Sequence, residues 1–156
     1  MYRYILLTIL IVTTCAGISS GNLIDKKMTN MITPVSYFVN HIKQLSKIKE
    51  NLIKFNKVSI VGTSGIGKTQ LIRTYAYENK DNYEIIWFID CNLDINQEFL
   101  KLAKVLNKKK HANLKTQGDL VEFEVMEYLK DKNNWLLVFD NLKISQNKKV
   151  IDLINW

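Results

Sequence analysis

Three short apolar runs divide the chain, at residues 57–61 (KVSIV), 84–90 (EIIWFID) and 135–141 (WLLVFDN). Each run is rich in β-branched or aromatic residues, and each is shorter than an ordinary helix. Short runs with apolar residues on both faces are typical of strands that are covered on both sides of a parallel sheet. We therefore predict three buried strands.

Four segments around these runs carry apolar residues at helical spacing, namely residues 41–55, 68–79, 94–107 and 116–130. Their predicted inner faces are Ile42, Leu45, Ile48, Leu52 and Phe55; Leu71, Ile72, Tyr75 and Ala76; Phe99, Leu102 and Leu106; and Leu120, Val121, Val125, Tyr128 and Leu129. Strand and helix patterns that alternate in this way predict an α/β fold, in which a parallel sheet has helices on its faces.

Two of the helical segments begin with capping signals. Asp94 or Asn96 is suited to cap the third segment, because a short polar side chain can accept a hydrogen bond from the first turn. The fourth segment starts with Thr116-x-x-Asp119, which resembles a capping box. We predict a helix N-terminus at each of these positions.

The first apolar run leads directly into a glycine cluster with the spacing Gly62-x-x-x-x-Gly67-Lys68-Thr69, which is the phosphate-loop pattern. Glycines allow backbone N–H groups to turn inward around an anion, and the helix that follows adds the positive end of its dipole. The alternative is an ordinary glycine-rich turn. The predicted phosphate-binding residues are Gly62, Thr63, Ser64, Gly65, Ile66, Gly67, Lys68 and Thr69.

The third apolar run contains Asp140 near its end, which places a carboxylate at the carboxyl end of a predicted buried strand. Open α/β sheets bind their ligands at this edge. In phosphate-loop proteins such an aspartate and the hydroxyl group at the end of the loop hold Mg²⁺. We predict that Thr69 and Asp140 form a Mg²⁺ site; the alternative is a strand that simply leaves the core.

Residues 1–20 form an apolar leader, in which Arg3 precedes a run from Ile5 to Val12 and small residues follow. This layout is typical of a secretory signal peptide, and the run is shorter than the ~20 residues of a membrane-spanning helix. Two alternatives remain open: a lipoprotein signal that ends at Cys15, and a short membrane anchor with the body in the cytosol. Lysines after the leader favour the anchor orientation. The leader thus predicts export or membrane association, whereas a nucleotide site predicts the cytoplasmic side.

The net charge of +7 arises from 22 basic and 15 acidic residues. The lysines are scattered, and the one tight run, residues 107–111, has no interleaved aromatic residues, so we expect no specific nucleic-acid binding. Cys15 and Cys91 imply no disulfide framework, and His41 and His111 have no metal-ligand spacing. We expect Cys91 to be a small, partly buried thiol.

The order of these features resembles the NB-ARC domain of STAND-type ATPases. The resemblance rests on the loop with Gln70 and Leu71 after it, on Trp87 in the second strand, and on the Leu-Leu-Val-x-Asp strand that ends at Asp140. It covers residues 37–156. It implies a P-loop NTPase-like fold with ADP or ATP and Mg²⁺ as ligands, and ADP as the nucleotide held in the resting state.

Two departures from the family pattern concern chemistry. Residues 36–48 resemble the adenine-side entry motif, but Asn40 and His41 stand where the family has Gly-Arg. Asn141 follows Asp140 where the family often has a second acidic residue, and this removes an obvious base for activating water. We therefore expect little or no hydrolysis and assign no catalytic residue.

A third departure concerns the sheet, because the chain ends at Trp156 whereas the family domain continues through further strands. In the family the fourth strand lies between the loop strand and the aspartate strand. The resemblance therefore implies a truncated domain, with about three strands and a gap in its sheet. We expect one of two outcomes: the two strands pair directly, which would displace Asp140 by about 4.8 Å, or another protein supplies the missing strand.

The predicted organisation is a leader at residues 1–20, a polar linker at 21–36 and a partial nucleotide-binding domain at 37–156. The predicted function is ADP or ATP binding by a regulatory switch module of the NB-ARC type. The alternatives are an exported or vestigial interaction protein with an unused loop, and a small P-loop kinase. Such kinases use arginines for their second phosphate substrate, and the body has only Arg73. A GTPase is excluded by the absence of Asn-Lys-x-Asp and Asp-x-x-Gly segments.

Overall fold

The computed structural model describes residues 7–15, 27–36, 41–118 and 120–154. Within these ranges five strands form one sheet: β1 (Leu7–Cys15), β2 (Met28–Thr29), β3 (Lys57–Thr63), β4 (Ile85–Asp90) and β5 (Trp135–Leu142). The helices are α1 (Ile42–Phe55), α2 (Lys68–Glu78), α3 (Ile95–Lys110), α4 (Val121–Lys130) and α5 (Asn147–Ile154). Short 3₁₀ segments lie at Lys80–Asn82 and Ile144–Gln146.

The predicted α/β fold is confirmed, and the three apolar runs form β3, β4 and β5. The strand order is β2-β4-β5-β1-β3. β2, β4 and β5 are parallel neighbours, and their register places Asp90 beside Asp140 at the carboxyl ends of β4 and β5. Two strands were not predicted from the sequence. β2 lies in the segment predicted as a linker, and β1 lies in the predicted leader.

β1 occupies the position between β3 and β5 and is antiparallel to both strands. Its pairs with β3 run from Leu7 opposite Thr63 to Thr13 opposite Lys57. Both expected outcomes for the gap are therefore wrong: among the described strands β3 does not pair with β5, and the strand between them comes from this chain. The physical reason is that an apolar, β-branched segment is as well suited to a strand as to the core of a leader. Cleavage and membrane association of the leader stay predictions.

Helices cover the two faces of the sheet. α1 and α2 pack on one face, where Ile48, Leu52, Ile72, Tyr75 and Ala76 meet Ile86, Leu136 and Val138. α3, α4 and α5 pack on the other face, where Phe99, Leu102, Leu106, Val125, Leu129 and Val150 meet Ile89, Leu137 and Phe139. Within the described part of the chain, none of the helices combines the length and apolar character that crossing a membrane requires.

Several sequence predictions about burial need correction. β3 was predicted to be a buried parallel strand, but it lies at the edge of the sheet beside an antiparallel strand, and Val61 is 54% exposed. Ile42 and Phe55, at the two ends of the α1 stripe, are also exposed, as is Leu120. Val61 lies on the edge strand, and the other three side chains lie at helix ends, where the packed layer stops. Helical spacing in the sequence does not show where a neighbouring element ends.

The two capping predictions had different outcomes. Asp94 caps α3, since its carboxylate accepts hydrogen bonds from the backbone N–H groups of Asn96 at 2.8 Å and Gln97 at 3.3 Å. The capping box at Thr116 is wrong: α4 begins at Val121, with Leu120 at its N-cap position. Asp119 itself lies outside the described residues.

Candidate functional site

The phosphate loop, residues 62–69, joins the end of β3 to the start of α2 and depends on its glycines. Gly65 and Gly67 have φ angles of 81° and 94°, in the left-handed region that glycine adopts without steric cost. A Cβ atom at Gly62 would lie 3.2 Å from the Cγ2 atom of Ile66, which is tighter than ordinary contact. The loop therefore turns sharply enough to enclose a small space above the start of α2.

The N-terminus of α2 is open to an anion. Its N-cap residue is Gly67, which has no side chain to cap the helix, and its first turn contains no acidic residue. The first helical hydrogen bond runs from the Leu71 N–H to the Gly67 carbonyl at 2.9 Å. The preceding N–H groups have no partner within the helix, and the helix dipole adds positive potential at the same place. This geometry favours a bound phosphate.

The Lys68 side chain folds back over the loop. Its Nζ atom donates hydrogen bonds to the carbonyl oxygens of Gly62 at 2.9 Å and Thr63 at 2.8 Å. Both acceptors are neutral. Exchanging one of them for an anionic oxygen would give a stronger, charge-assisted hydrogen bond. The ammonium group is thus held within the loop, where a phosphate would meet it.

Thr69 and Asp140 are brought together, although 71 positions separate them in the sequence. The Thr69 hydroxyl donates to the Oδ1 atom of Asp140 at 3.0 Å, and the same oxygen accepts from the Asn141 N–H at 2.9 Å. The Asp140 side chain is buried. A hydroxyl and a carboxylate are hard oxygen donors of the kind that Mg²⁺ takes together with substrate phosphates. The donor set therefore fits the predicted Mg²⁺ site.

A bulge in β5 lies directly at this site. The register of β1 against β5 shifts between Ile9 and Ile11, so that Asp140 and Asn141 stand opposite one residue of β1. Asn141 has a φ angle of 59°, a left-handed conformation that asparagine tolerates better than most residues. Bulges change the direction of side chains and occur often beside functional sites. Here the bulge accompanies the turn of the Asp140 carboxylate toward Thr69.

A cavity of about 200 Å³ opens in front of the loop. Its lining residues are Ser64, Gly65, Gly67, Lys68, Thr69, Gln70 and Asn141. Among the predicted phosphate-binding residues, Gly62 and Thr63 contribute the carbonyl groups that hold Lys68. The side chain of Ile66 is exposed to solvent.

Sequence reasoning missed two residues at this site. Asp90 ends β4, and its Oδ1 atom accepts from the Asn141 Nδ2 group at 3.2 Å, which fixes an amide that faces the cavity. The signal was available, because Asp90 ends an apolar run just as Asp140 does. Gln70 lines the cavity, and its Oε1 atom accepts from the Val35 N–H at 3.2 Å. Nothing in the local pattern predicts that contact.

The adenine-side entry motif is only partly described, because residues 37–40 lie outside the described ranges. The helix that follows it borders a second cavity of about 360 Å³. This cavity is lined by Ile42, Leu45, Ser46, Lys49, Tyr75, Glu78 and Asn79. It lies between α1 and α2, on the same face of the sheet as the start of α2.

Cys91 follows β4 and is fully buried, more completely than predicted. Burial, with smaller contributions from Asp90 and Asp140, raises the pKa of the Cys91 thiol to about 12. The thiol is therefore neutral near pH 7. In the parts of the chain that are described, no group of three or more His, Cys, Asp or Glu side chains is arranged to hold a metal ion.

The family model for the NB-ARC domain matches residues 41–154, which is well over half of the chain. The chain belongs to the NB-ARC domain family. No curated protein and no solved structure matches it. The NB-ARC match contains the whole phosphate loop and Asp140, and it identifies the chain as a nucleotide-binding P-loop module. Two strands of the sheet, β1 and β2, lie outside the matched residues.

Proposed function

We propose that this NB-ARC domain binds ADP or ATP together with Mg²⁺ at the phosphate loop and acts as a regulatory switch module. The observation that carries the proposal is the 3.0 Å hydrogen bond between Thr69 and Asp140, directly beside an uncapped helix N-terminus. Cation ligands and anion donors thus lie next to each other, as a Mg²⁺–nucleotide pair requires. Because the ligand is a cytosolic metabolite, we also propose that the domain faces the cytoplasm.

The residues have separate roles in this proposal. The loop N–H groups at the start of α2 would hold the phosphate oxygens. The Lys68 ammonium group would replace one of its two carbonyl acceptors with a terminal phosphate oxygen. Thr69 and Asp140 would hold Mg²⁺, and the bound ion would supply positive charge that offsets the negative charge of the phosphates. Asp90 holds the Asn141 amide at the cavity wall. Residue 141 thus offers the ligand an amide at the position where the family often has a carboxylate.

The Asp140→Asn variant tests the Mg²⁺ site. We expect calorimetry to show tighter ADP binding by the wild type in Mg²⁺ than in EDTA. The variant should lose most of this Mg²⁺ effect, because an amide oxygen is a weaker ligand than a carboxylate, while its affinity in EDTA stays within about twofold of the wild type. Asp152→Asn, at an exposed carboxylate on α5, is the matched control. An unchanged Mg²⁺ effect in Asp140→Asn would refute the assignment.

Hydrolysis should be negligible. The amide of Asn141 cannot accept a proton from water, and an arginine finger, which can contribute ~10³-fold or more, is expected only from a partner. Phosphate release from ATP should therefore be far slower than about 1 s⁻¹, the low end of ordinary enzyme turnover. A steady release near that rate, abolished by Lys68→Ala, would show that the domain is an active ATPase.

A further inference from the structure

We propose that β1 remains in the mature protein as a positioning strand of the nucleotide site. On this view residues 7–15 are a structural part of the domain, and not a leader that is removed or inserted into a membrane. The inference that β1 is retained depends only on the pairing within the sheet. Its positioning role rests on the nucleotide binding proposed above.

β1 is paired with another strand on both of its edges. It pairs with seven consecutive residues of β3 on one side and with β5 on the other. In the order of the described strands, β1 is the neighbour that joins β3 to the rest of the sheet. Without β1, the edges of β3 and β5 would both lose their hydrogen-bond partners, and unpaired backbone groups are costly when buried. Among the described elements, the strand that leads into the phosphate loop would then keep its packing against α1 and α2 but have no strand partner.

The contact between Thr69 and Asp140 depends on the distance between β3 and β5. One intervening strand separates β3 from β5 by roughly 9.6 Å, or two strand spacings. It is with this separation that the two side chains form their 3.0 Å hydrogen bond. Direct pairing of β3 with β5 would remove one spacing of about 4.8 Å and carry the loop away from that position.

The bulge in β5 also depends on β1. Two residues of β5, Asp140 and Asn141, stand opposite one residue of β1, so the mismatch exists only while β1 is paired there. The left-handed conformation of Asn141 belongs to this local arrangement. β1 lies outside the NB-ARC match, and it is the strand whose pairing accompanies the turn of Asp140, the proposed metal ligand.

Engineered disulfides test whether β1 occupies the slot between β3 and β5 in the full chain. Ile11 stands opposite Ser59 and Val12 opposite Val58. Facing residues of antiparallel strands have Cα atoms roughly 4.5–5.5 Å apart, within the range for a disulfide. We would make Ile11→Cys with Ser59→Cys, and Val12→Cys with Val58→Cys, each in a Cys15→Ser background. Adjacent pairs sample both pairing geometries of an antiparallel ladder.

The control pair is Leu7→Cys with Val58→Cys, which is five positions out of register and roughly 17 Å apart. We expect at least one matched pair to form an intramolecular disulfide under mild oxidation, while the control pair forms none. Failure of both matched pairs, or equal reaction of the control, would overturn the proposal. A disulfide between two copies would assign the slot to a second chain and would also overturn it. So would an intact mass showing that residues 7–15 have been removed from the purified protein.

The locked protein then tests the positioning role. If β1 positions the site, ADP affinity and its Mg²⁺ dependence should be the same, within about twofold, in the oxidised and reduced states. Loss of the Mg²⁺ effect on locking would mean that β1 leaves the slot when nucleotide binds, which contradicts the role. Absence of binding in both states would refute the proposed function, while the disulfide result would still decide where β1 lies.

Discussion

Replacing Lys68 with alanine should weaken ADP binding by about 1.5–3 kcal/mol, the cost of a hydrogen bond to a charged group. This corresponds to a roughly 10- to 150-fold rise in Kd. The reason is that Lys68 holds the one ammonium group among the residues that line the cavity at the loop. Isothermal titration calorimetry of the full chain with Mg-ADP measures the effect.

The control for this variant is Lys104→Ala, because Lys104 is an exposed lysine on α3, on the face of the sheet opposite α2. It changes the net charge by the same amount and should leave the affinity within about twofold. The Lys68 side chain also holds the Gly62 and Thr63 carbonyl groups, so thermal unfolding of both variants should accompany the titration. Equal affinities in the wild type and Lys68→Ala would contradict the proposed role of the loop.

Replacing Phe99 with alanine should lower the free energy of unfolding by about 3–5 kcal/mol. Phe99 is fully buried on the inner face of α3, and its ring centroid lies 6.1 Å from that of Phe139 on β5. Removing the ring loses its burial and leaves a cavity beside the strand that carries Asp140. A loss of this size is a large part of the ~5–15 kcal/mol that stabilises an ordinary domain. Urea unfolding followed by circular dichroism measures it.

Phe55→Ala is the matched control, because the same ring is removed from an exposed position at the end of α1. Its effect should stay within about 0.5 kcal/mol, as for most surface substitutions. If the two variants destabilised the chain equally, α3 would not pack against the sheet as described. If Phe99→Ala is too unstable to purify, Phe99→Leu, which keeps most of the apolar volume, should fold with a smaller loss.

The features that could be predicted from the sequence depend on neighbouring residues. The spacing of the phosphate loop predicts the conformation of its backbone, and Gly65 and Gly67 adopt the left-handed angles that this pattern implies. The inner face of α3 and its cap at Asp94 follow from helical periodicity and capping chemistry. The proximity of Asp140 to Thr69 followed from the rule that parallel strands bring their carboxyl ends to one edge.

The bulge at Asp140 could not be predicted in this way. The bulge arises because two residues of β5 stand opposite one residue of β1, and β1 was not predicted from the sequence. Asn141 was noted only as a departure from the family pattern. The structure shows that it also adopts a left-handed conformation and contacts Asp90.

By itself, then, the sequence determined the α/β class, the strands β3, β4 and β5, the loop, and Thr69 and Asp140 as the two oxygen-bearing side chains that meet beside it. Only the tertiary structure placed Leu7–Cys15 as a strand between β3 and β5, and placed β3 at the edge of the sheet. The physical reason is that an apolar, β-branched segment suits a leader and a strand equally well. A strand in this position needs two neighbouring strand edges with unpaired N–H and C=O groups. Those edges exist only after β3 and β5 have been brought into one sheet.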